Sequence, residues 1–159
     1  MVRHSKLALI FAAAALAAAQ AASAAGIDAK AWSGTWHLDA AKSKWSAAGK
    51  EQSETRTYTY AAGKLTMKSS FKDGAGKETN FSYSAALDGK FYPMVGNPNG
   101  DSIALTAVSA RTLKATSRLH GKPTVQTDAS VSADGKHLSL KRTYVGTKGT
   151  PSEELEFNR

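Results

Sequence analysis

The sequence contains the pattern Arg-x-Tyr twice, and this pattern is the strongest chemical signal in the chain. Arg56 precedes Tyr58 by two positions, and Arg142 precedes Tyr144 by two positions. On a β-strand, side chains two positions apart point to the same face, so each guanidinium would lie beside its tyrosine hydroxyl. Because a guanidinium can bind a carboxylate through two parallel hydrogen bonds, each pair could hold the acidic head group of a ligand.

Two interpretations of these arginines stay open. Arg142 and Tyr144 share the parity of two leucines in HLSLKRTY, which favours an inward orientation. An arginine inside a protein needs a partner, because an unpaired buried charge is very costly. In the first interpretation that partner is a ligand carboxylate. In the second, the guanidiniums lie at a rim in water, or pair with Glu54, Asp128 or each other's tyrosines.

Patterns for catalysis and metal binding are weak. His37, His120 and His137 are far apart and lack metal-ligand spacing. The chain has no cysteine and no G-x-S-x-G motif, so the usual nucleophile signatures are missing. Asp73 and Asp88 precede glycines in turn-like segments, which explains them without acid–base chemistry. We therefore expect a protein that is not an enzyme, with no catalytic residues, no metal and no cofactor.

The elements that must position the Arg-x-Tyr pairs are β-strands. Turns with Gly and Lys, such as AGK, DGK and HGK, separate segments of alternating polarity. These segments predict about ten strands in an antiparallel up-and-down meander. Such a meander avoids exposed edges by closing, so we expect an all-β barrel of about 8–10 strands. A two-sheet sandwich would need longer connections. Two segments interrupt the alternating pattern of the strands and are predicted to be rim loops, at 43–53 and 93–101. One possible helical turn lies at 40–44.

Composition predicts a soluble barrel that does not bind nucleic acid. The polar face of the strands carries Lys, Thr, Glu and Arg, whereas a membrane barrel needs an apolar outer face. The formal net charge is +8, but the lysines are dispersed and form no basic run. The aromatic residues share the apolar parity and do not lie among the lysines, which argues against a nucleic-acid surface.

The first 25 residues have the pattern of a secretory signal peptide. Arg3 and Lys6 precede an alanine-rich apolar run, and Ala-Ser-Ala-Ala follows at 22–25. The run falls short of the roughly 20 apolar residues that a transmembrane helix needs. We therefore expect cleavage near Ala25, one domain over residues 26–159, and a periplasmic or extracellular protein that does not span the membrane.

All three tryptophans lie in WSGTWHLDAAKSKW, at the start of the predicted domain. Its G-x-W pattern, Gly34 to Trp36, resembles the first strand of the calycins, which comprise lipocalins, fatty-acid-binding proteins and avidins. More closely, the chain is similar to small secreted lipocalin-like domains of bacteria, from this stretch through LDGKFYPMVGNP and VSADGKHLSL to the terminal EFNR. The resemblance implies a lipocalin-like barrel and says little about activity.

The tryptophans are predicted to close the barrel. The last strand of a closed meander runs antiparallel to the first, which brings Arg159 close to Trp36 and Gly34. A guanidinium over an indole ring stabilises by roughly 0.5–2 kcal/mol. Similar Trp–Arg pairs close one end of the barrel in calycins. We expect Trp36 and Arg159 to plug one end, with Arg142 as the substitute partner. Trp32 and Trp45 would pack beside that end.

The sequence favours an interior ligand. Fatty-acid-binding proteins use a comparable interior Arg-x-Tyr, so the resemblance implies a small apolar or fatty-acid-like molecule, bound non-covalently. Small inward residues on the sixth to eighth strands would leave space for it. The alternative is a filled barrel that serves as an envelope structural or protein-interaction module. The candidate ligand-binding residues are Arg56, Tyr58, Tyr60, Met67, Phe71, Phe81, Tyr83, Arg142 and Tyr144.

Overall fold

The computed structural model describes residues 26–46 and 52–159, so the predicted signal peptide lies outside the described residues, as does part of the predicted 43–53 loop. The described residues form one short helix and ten strands. In chain order these are α1 (Ala29–Trp32), β1 (Gly34–Leu38), β2 (Ser53–Ala61), β3 (Lys64–Lys72), β4 (Glu78–Ala86), β5 (Asp88–Val95), β6 (Ser102–Ser109), β7 (Thr112–Leu119), β8 (Lys122–Val131), β9 (His137–Tyr144) and β10 (Ser152–Asn158).

The strands form a closed antiparallel barrel, which confirms the predicted fold class. Each strand pairs with its neighbours along the chain, and β1 also pairs with β10, where His37 faces Asn158 and Leu38 faces Phe157. Closure removes the free strand edges that an open meander would expose. Among the described residues, no helix has the length and hydropathy needed to cross a membrane.

Tight turns hold the register between strands. The β2–β3 turn has two residues, Ala62 and Gly63, with φ of 49° and 74°. The β7–β8 turn repeats this geometry at His120 and Gly121, with φ of 51° and 77°. Two successive positive φ angles are typical of the type I′ hairpin, whose twist matches that of the strands it joins. Glycine supplies the second position in both turns.

The two ends of the barrel differ. At the closed end, α1 and the start of β1 lie with the β2–β3 and β8–β9 turns. At the other end, which we call the mouth, residues 39–46 lie with the 73–77 turn and the loops at 96–101 and 145–151. The apolar core runs between them and includes the fully buried side chains Trp32, Trp36, Leu65, Met67, Leu105, Leu138, Leu140, Leu155 and Phe157.

Two local predictions were wrong. The helical turn expected at 40–44 is a hydrogen-bonded turn at 40–42, and the short helix instead precedes β1 at Ala29–Trp32. Asp28 starts this helix because its side chain accepts a hydrogen bond from the Ala31 N–H, a common N-cap arrangement. The loop expected at 93–101 begins later, because Pro93–Val95 belong to β5.

Candidate functional site

Trp36 and Arg159 lie together at the closed end. The guanidinium carbon of Arg159 is 4.4 Å from the centroid of the Trp36 ring, and Trp36 is fully buried. The same guanidinium donates hydrogen bonds to the carbonyls of Ala31, Ser33 and Gly135. Arg159 therefore connects α1, the start of β1 and the β8–β9 turn. Arg142, the substitute partner, forms contacts elsewhere.

Of the other residues predicted to lie at the closed end, Gly34 and Trp32 lie there and Trp45 does not. Gly34 has φ of 137°, and a β-carbon there would lie 2.9 Å from Nη1 of Arg159, so the side chain of Arg159 occupies the space beside this glycine. Trp32 packs at the closed end, where its carbonyl accepts a hydrogen bond from the Trp36 indole. Trp45 was placed wrongly. It lies at the mouth, beside Phe71, because the segment after β1 crosses to that end.

Arg56 points into the barrel and is held by an acidic partner. Its Nε donates to Oε1 of Glu54 at 2.6 Å, and its Nη1 donates to the Tyr58 hydroxyl at 3.2 Å. Ser69 donates a second hydrogen bond of 2.6 Å to the same Glu54 oxygen. The guanidinium also lies 5.7 Å from the ring centroid of Phe81 and 5.4 Å from that of Phe157. This side chain is therefore buried between two aromatic rings and paired with a carboxylate.

Arg142 also points inward, and it meets two carboxylates. Its Nη1 donates to Oε1 of Glu153 at 3.2 Å, and its Nη2 donates to Oε2 of Glu54 at 3.3 Å. The hydroxyl of Tyr144 donates to the same Glu153 oxygen at 2.7 Å. The side chains of Glu54 and Glu153 are 0% and 4% exposed, whereas that of Arg142 is 13% exposed. We call Glu54, Arg56, Arg142 and Glu153 the ion cluster.

The ion cluster decides between the two interpretations of the arginines. Both point inward, and both pair with Glu54, as the interpretation with partners inside the chain required. Asp128, the other acidic partner considered, lies near Lys114 on the exposed surface instead. Glu153 occupies the position that the sequence analysis gave to a ligand carboxylate, since it accepts hydrogen bonds from both Arg142 and Tyr144.

Sequence reasoning missed Glu153 and Ser69, although strand parity could have found the first. Glu153 is two positions from Leu155 and four from Phe157, so all three share one face of β10. The neighbouring Glu154 points outward and binds Lys44. For Ser69, parity with Met67 indicates an inward position, but nothing in the sequence indicates its bond to Glu54.

Burial and pairing shift the pKa values of groups in the interior. Burial acts to lower the pKa of Arg56, but the Glu54 carboxylate and the Tyr58 hydroxyl outweigh it, so the net shift is upward. Burial raises the pKa of Tyr144 to about 12, against the lowering effect of Arg142 and with the help of Glu153. Burial also raises the pKa of Tyr83, with a further contribution from Tyr58. The arginine is therefore charged and both tyrosines are neutral at physiological pH.

Empty space lies on both sides of the ion cluster. An inner cavity of about 90 Å³ runs down the barrel, and a larger pocket of about 430 Å³ opens at the mouth. The two spaces are adjacent, because Phe81, Asn97, Asn99, Arg142 and Tyr144 line both. The rest of the inner cavity is mainly apolar, and its far wall carries the small residues Ala115, Ser117, Thr127 and Ala129.

The structure brings most of the candidate ligand-binding residues to this space. The inner cavity is lined by seven of them, which are Arg56, Tyr58, Met67, Phe81, Tyr83, Arg142 and Tyr144. Phe71 lines the mouth pocket instead. Tyr60 lines neither, because it lies further along β2 towards the closed end, where its backbone N–H donates to the Ser33 hydroxyl. Tyr60 was therefore assigned wrongly.

The described residues contain no group of three or more His, Cys, Asp or Glu side chains placed to hold a metal ion. Neither the protein-family models nor the curated proteins compared with this sequence match it. The geometry of the cavity, the mouth pocket and the ion cluster is therefore the basis for a functional proposal.

Proposed function

We propose that this barrel binds one small amphipathic molecule, which enters at the mouth and places its apolar part among the interior side chains. The observation that carries the proposal is an apolar inner cavity adjoining a mouth pocket of about 430 Å³, while the opposite end is plugged by Trp36 and Arg159. Ligand pockets commonly have volumes of about 300–1,000 Å³, with mainly apolar walls and a few convergent polar groups. The mouth pocket falls in that range.

The distribution of side chains supports an amphipathic ligand. Leu105, Leu113 and Leu140 provide apolar walls in the inner cavity. At the mouth, Trp45 and Phe71 provide aromatic surface, and Arg142, Tyr144 and Glu153 are polar. An alkyl chain would bury apolar area in the cavity, at about 25 cal/mol per Å² removed from water. Its polar head would face the ion cluster or the mouth.

Binding can be tested by filling the cavity. Ala115 lines it, and an Ala115→Phe substitution places a phenyl ring in space that a ligand would use. We expect Ala115→Phe to weaken the affinity for alkyl ligands at least tenfold, because the ring removes the apolar burial that drives binding. Tryptophan fluorescence measures this affinity. Organic extraction of the purified wild-type protein, followed by mass spectrometry, would identify a ligand that copurifies.

The matched control is Val108→Phe, which adds an aromatic ring at a side chain that is 51% exposed. This variant should bind like the wild type. The proposal is overturned if no alkyl ligand binds and nothing copurifies, or if Ala115→Phe and the control bind equally well. Circular dichroism of both variants separates a blocked cavity from a misfolded barrel.

The alternative is a filled barrel that acts as a structural or protein-interaction module. One observation favours it: the inner cavity alone is about 90 Å³, well below the size of a usual ligand pocket. Against it, Val95 and Val108 lie at opposite ends of β5 and β6, so these exposed apolar side chains form no continuous docking patch. Failure of every alkyl ligand in the titration would favour this second function.

We also propose that the protein acts outside the cytoplasm and is not an enzyme. The signal-peptide pattern of residues 1–25 supports the first point. Two observations support the second point. The sequence has only weak catalytic patterns, and both interior carboxylates, Glu54 and Glu153, are paired with arginines. Mass spectrometry of the mature protein from a periplasmic extract should give a chain that begins near residue 26. A full-length chain in the cytoplasm would contradict the location.

A further inference from the structure

The inner cavity ends at a fixed wall inside the barrel. Trp32, which is 1% exposed, lines it at the closed end. The indole N–H of Trp32 donates to the Ala110 carbonyl at 3.2 Å, and its ring lies at 72° to that of Tyr58, with 6.1 Å between the centroids. Trp36, part of the plug, donates to the Trp32 carbonyl. A ligand that enters at the mouth therefore cannot pass beyond Trp32.

The inner cavity is smaller than the space that an aromatic ring needs. Its volume is about 90 Å³, whereas an apolar cavity that binds benzene has a volume of about 150 Å³. Because protein interiors are close-packed, the walls cannot move apart without loss of contacts elsewhere. Aliphatic side chains make up much of these walls, among them Ile103, Leu105 and Leu113. The cavity therefore suits a short alkyl group of a few carbon atoms.

The passage between the inner cavity and the mouth pocket, which we call the neck, is held by side-chain contacts. The residues that line both spaces are Phe81, Asn97, Asn99, Arg142 and Tyr144. Arg142 and Tyr144 both donate to one oxygen of Glu153. Phe81 packs against Phe71, with 6.2 Å between the ring centroids. A bulky group could enter the inner cavity only by breaking these contacts, so it would stay in the mouth pocket.

The mouth pocket has a different lining, in which the apolar side chains are rings. Its volume of about 430 Å³ lies in the usual range of ligand pockets. Among the described residues that line it, none is a leucine, isoleucine, valine or methionine. The apolar surface comes instead from aromatic residues and prolines, which are Trp45, Phe71, Phe81, Pro98, Tyr144 and Pro151. Aromatic rings attract one another in stacked and edge-to-face arrangements, beyond the effect of area burial, so this lining favours a ligand with a ring.

We propose that the ligand is a ring compound with a short alkyl substituent. The ring would lie in the mouth pocket, and the alkyl group would pass through the neck into the inner cavity. This inference rests on the proposed binding function and names the class of amphipathic molecule that the site takes. A long-chain lipid fits less well, because most of its chain would remain outside the aliphatic cavity.

Two compounds with the same number of carbon atoms and one hydroxyl each separate a ring from a chain: para-propylphenol and nonanol. Calorimetry measures their affinities for the wild-type protein at neutral pH. We expect para-propylphenol to bind at least about tenfold more tightly, because its ring contacts the mouth pocket and its propyl group fits the inner cavity. Nonanol binding as tightly, or more tightly, would overturn the proposal.

The length of the alkyl group gives a second test, with para-alkylphenols that carry an ethyl, propyl, butyl or octyl group. Each CH₂ that is buried strengthens binding about fourfold. We expect this gain up to about the butyl group and no further gain at octyl, because the inner cavity is then full. A fourfold gain per CH₂ that continues to octyl would contradict the size limit and with it the proposal.

A substitution that enlarges the inner cavity should change this preference. Leu105 lines the cavity and is 1% exposed, so Leu105→Ala makes room for a longer alkyl group. para-Hexylphenol should bind this variant at least about tenfold more tightly than it binds the wild type, with little change for para-propylphenol. The matched control is Leu138→Ala, the same change at a fully buried side chain that lines neither the inner cavity nor the mouth pocket. It should leave both affinities unchanged.

The outcomes separate this inference from the proposed function. If neither nonanol nor any of the alkylphenols binds the wild type, the binding function itself fails. If nonanol binds at least as tightly as para-propylphenol, or if Leu105→Ala and Leu138→Ala have the same effect on para-hexylphenol, this inference fails and the binding function stands. Circular dichroism checks that both variants fold. Should Leu105→Ala not fold, the wild-type ligand series decides alone.

Discussion

At the scale of single residues, Glu54 has the largest structural role among the interior polar groups. Its side chain is completely buried, and it accepts hydrogen bonds from Arg56, Ser69 and Arg142. These bonds join β2, β3 and β9, which come from distant parts of the sequence. Transferring a charge into a protein interior costs several kcal/mol, so the cluster is tolerated only because each charge is paired.

Removal of the Glu54 carboxylate should destabilise the protein strongly. Glu54→Leu leaves the guanidinium of Arg56 buried without its carboxylate, and we expect a loss of about 3–5 kcal/mol in the free energy of unfolding. The double substitution Glu54→Leu with Arg56→Met removes both charges of the pair. Because it leaves no unpaired charge at Arg56, it should be more stable than the single variant. Urea denaturation of the three proteins measures these differences.

Two results would contradict this view of the ion cluster. The first is a double variant that is less stable than Glu54→Leu, which would show that Arg56 stabilises the fold without its carboxylate. The second is a single variant within about 0.5 kcal/mol of the wild type, the range of ordinary surface substitutions. Glu54→Gln, which keeps the acceptor for Ser69, provides a milder variant if Glu54→Leu does not fold.

At the scale of elements, the hairpin turns show local strain that can be relieved. Ala62 has φ of 49°, a left-handed conformation that is unfavourable for a residue with a β-carbon. Asparagine tolerates this conformation better and is strongly preferred before glycine in type I′ turns. We expect Ala62→Asn to raise the free energy of unfolding by about 0.5–1 kcal/mol, measured by urea denaturation.

The control for this turn is Ala61→Asn, the same change one residue earlier. Ala61 is exposed and lies at the end of β2, where asparagine is disfavoured. This variant should be no more stable than the wild type. Equal stabilisation by both substitutions would show that the gain does not come from the turn conformation.

Local sequence patterns were sufficient to predict most of the fold. The segment GTWHL coincides with β1, and HLSLKRTY coincides with β9, because alternating polarity is a local property of a strand. The segment around Pro93 was less clear, because proline and nearby glycines suggested a loop where β5 continues to Val95. The helix α1 is only four residues long, too short to produce a helical period.

The candidate site was less predictable, because its contacts are set by closure of the barrel. Strand parity places Arg56 and Arg142 inside, but their shared partner Glu54 is separated from Arg142 by 88 positions in the chain. The distance between them depends on how β2 and β9 are placed around β1 and β10. Trp45 was misplaced for a related reason, because its proximity to Trp36 in the sequence does not show that the residues between them carry the chain from the closed end to the mouth.

At the scale of the whole molecule, the barrel has one plugged end and one end with a pocket. At the closed end the first described residues meet the last one, because Arg159 contacts Ala31, Ser33 and Gly135. The mouth, in contrast, carries the longer connections, including 96–101 and 145–151. Ligand sites on rigid scaffolds commonly lie among such loops. The closed end therefore has a structural role, and the mouth is the end to which we assign binding.

Removal of the Arg159 side chain should destabilise the barrel because it removes the plug. Arg159→Ala loses the stacking on Trp36, worth roughly 0.5–2 kcal/mol, together with charge-assisted hydrogen bonds to three carbonyls. Since part of this side chain is exposed, we expect a net loss of about 2 kcal/mol in the free energy of unfolding, measured in urea.

The matched control is Arg118→Ala, because Arg118 also lies over an aromatic ring, 3.5 Å from the ring centroid of Phe91, but at the mouth, where it pairs with Ser102. It should cost less than about 1 kcal/mol, because the substitution removes a ring contact of a guanidinium whose buried Nε has no hydrogen-bond partner among the described residues. Equal losses in the two variants would mean that Arg159 acts only through its aromatic contact and does not close the barrel.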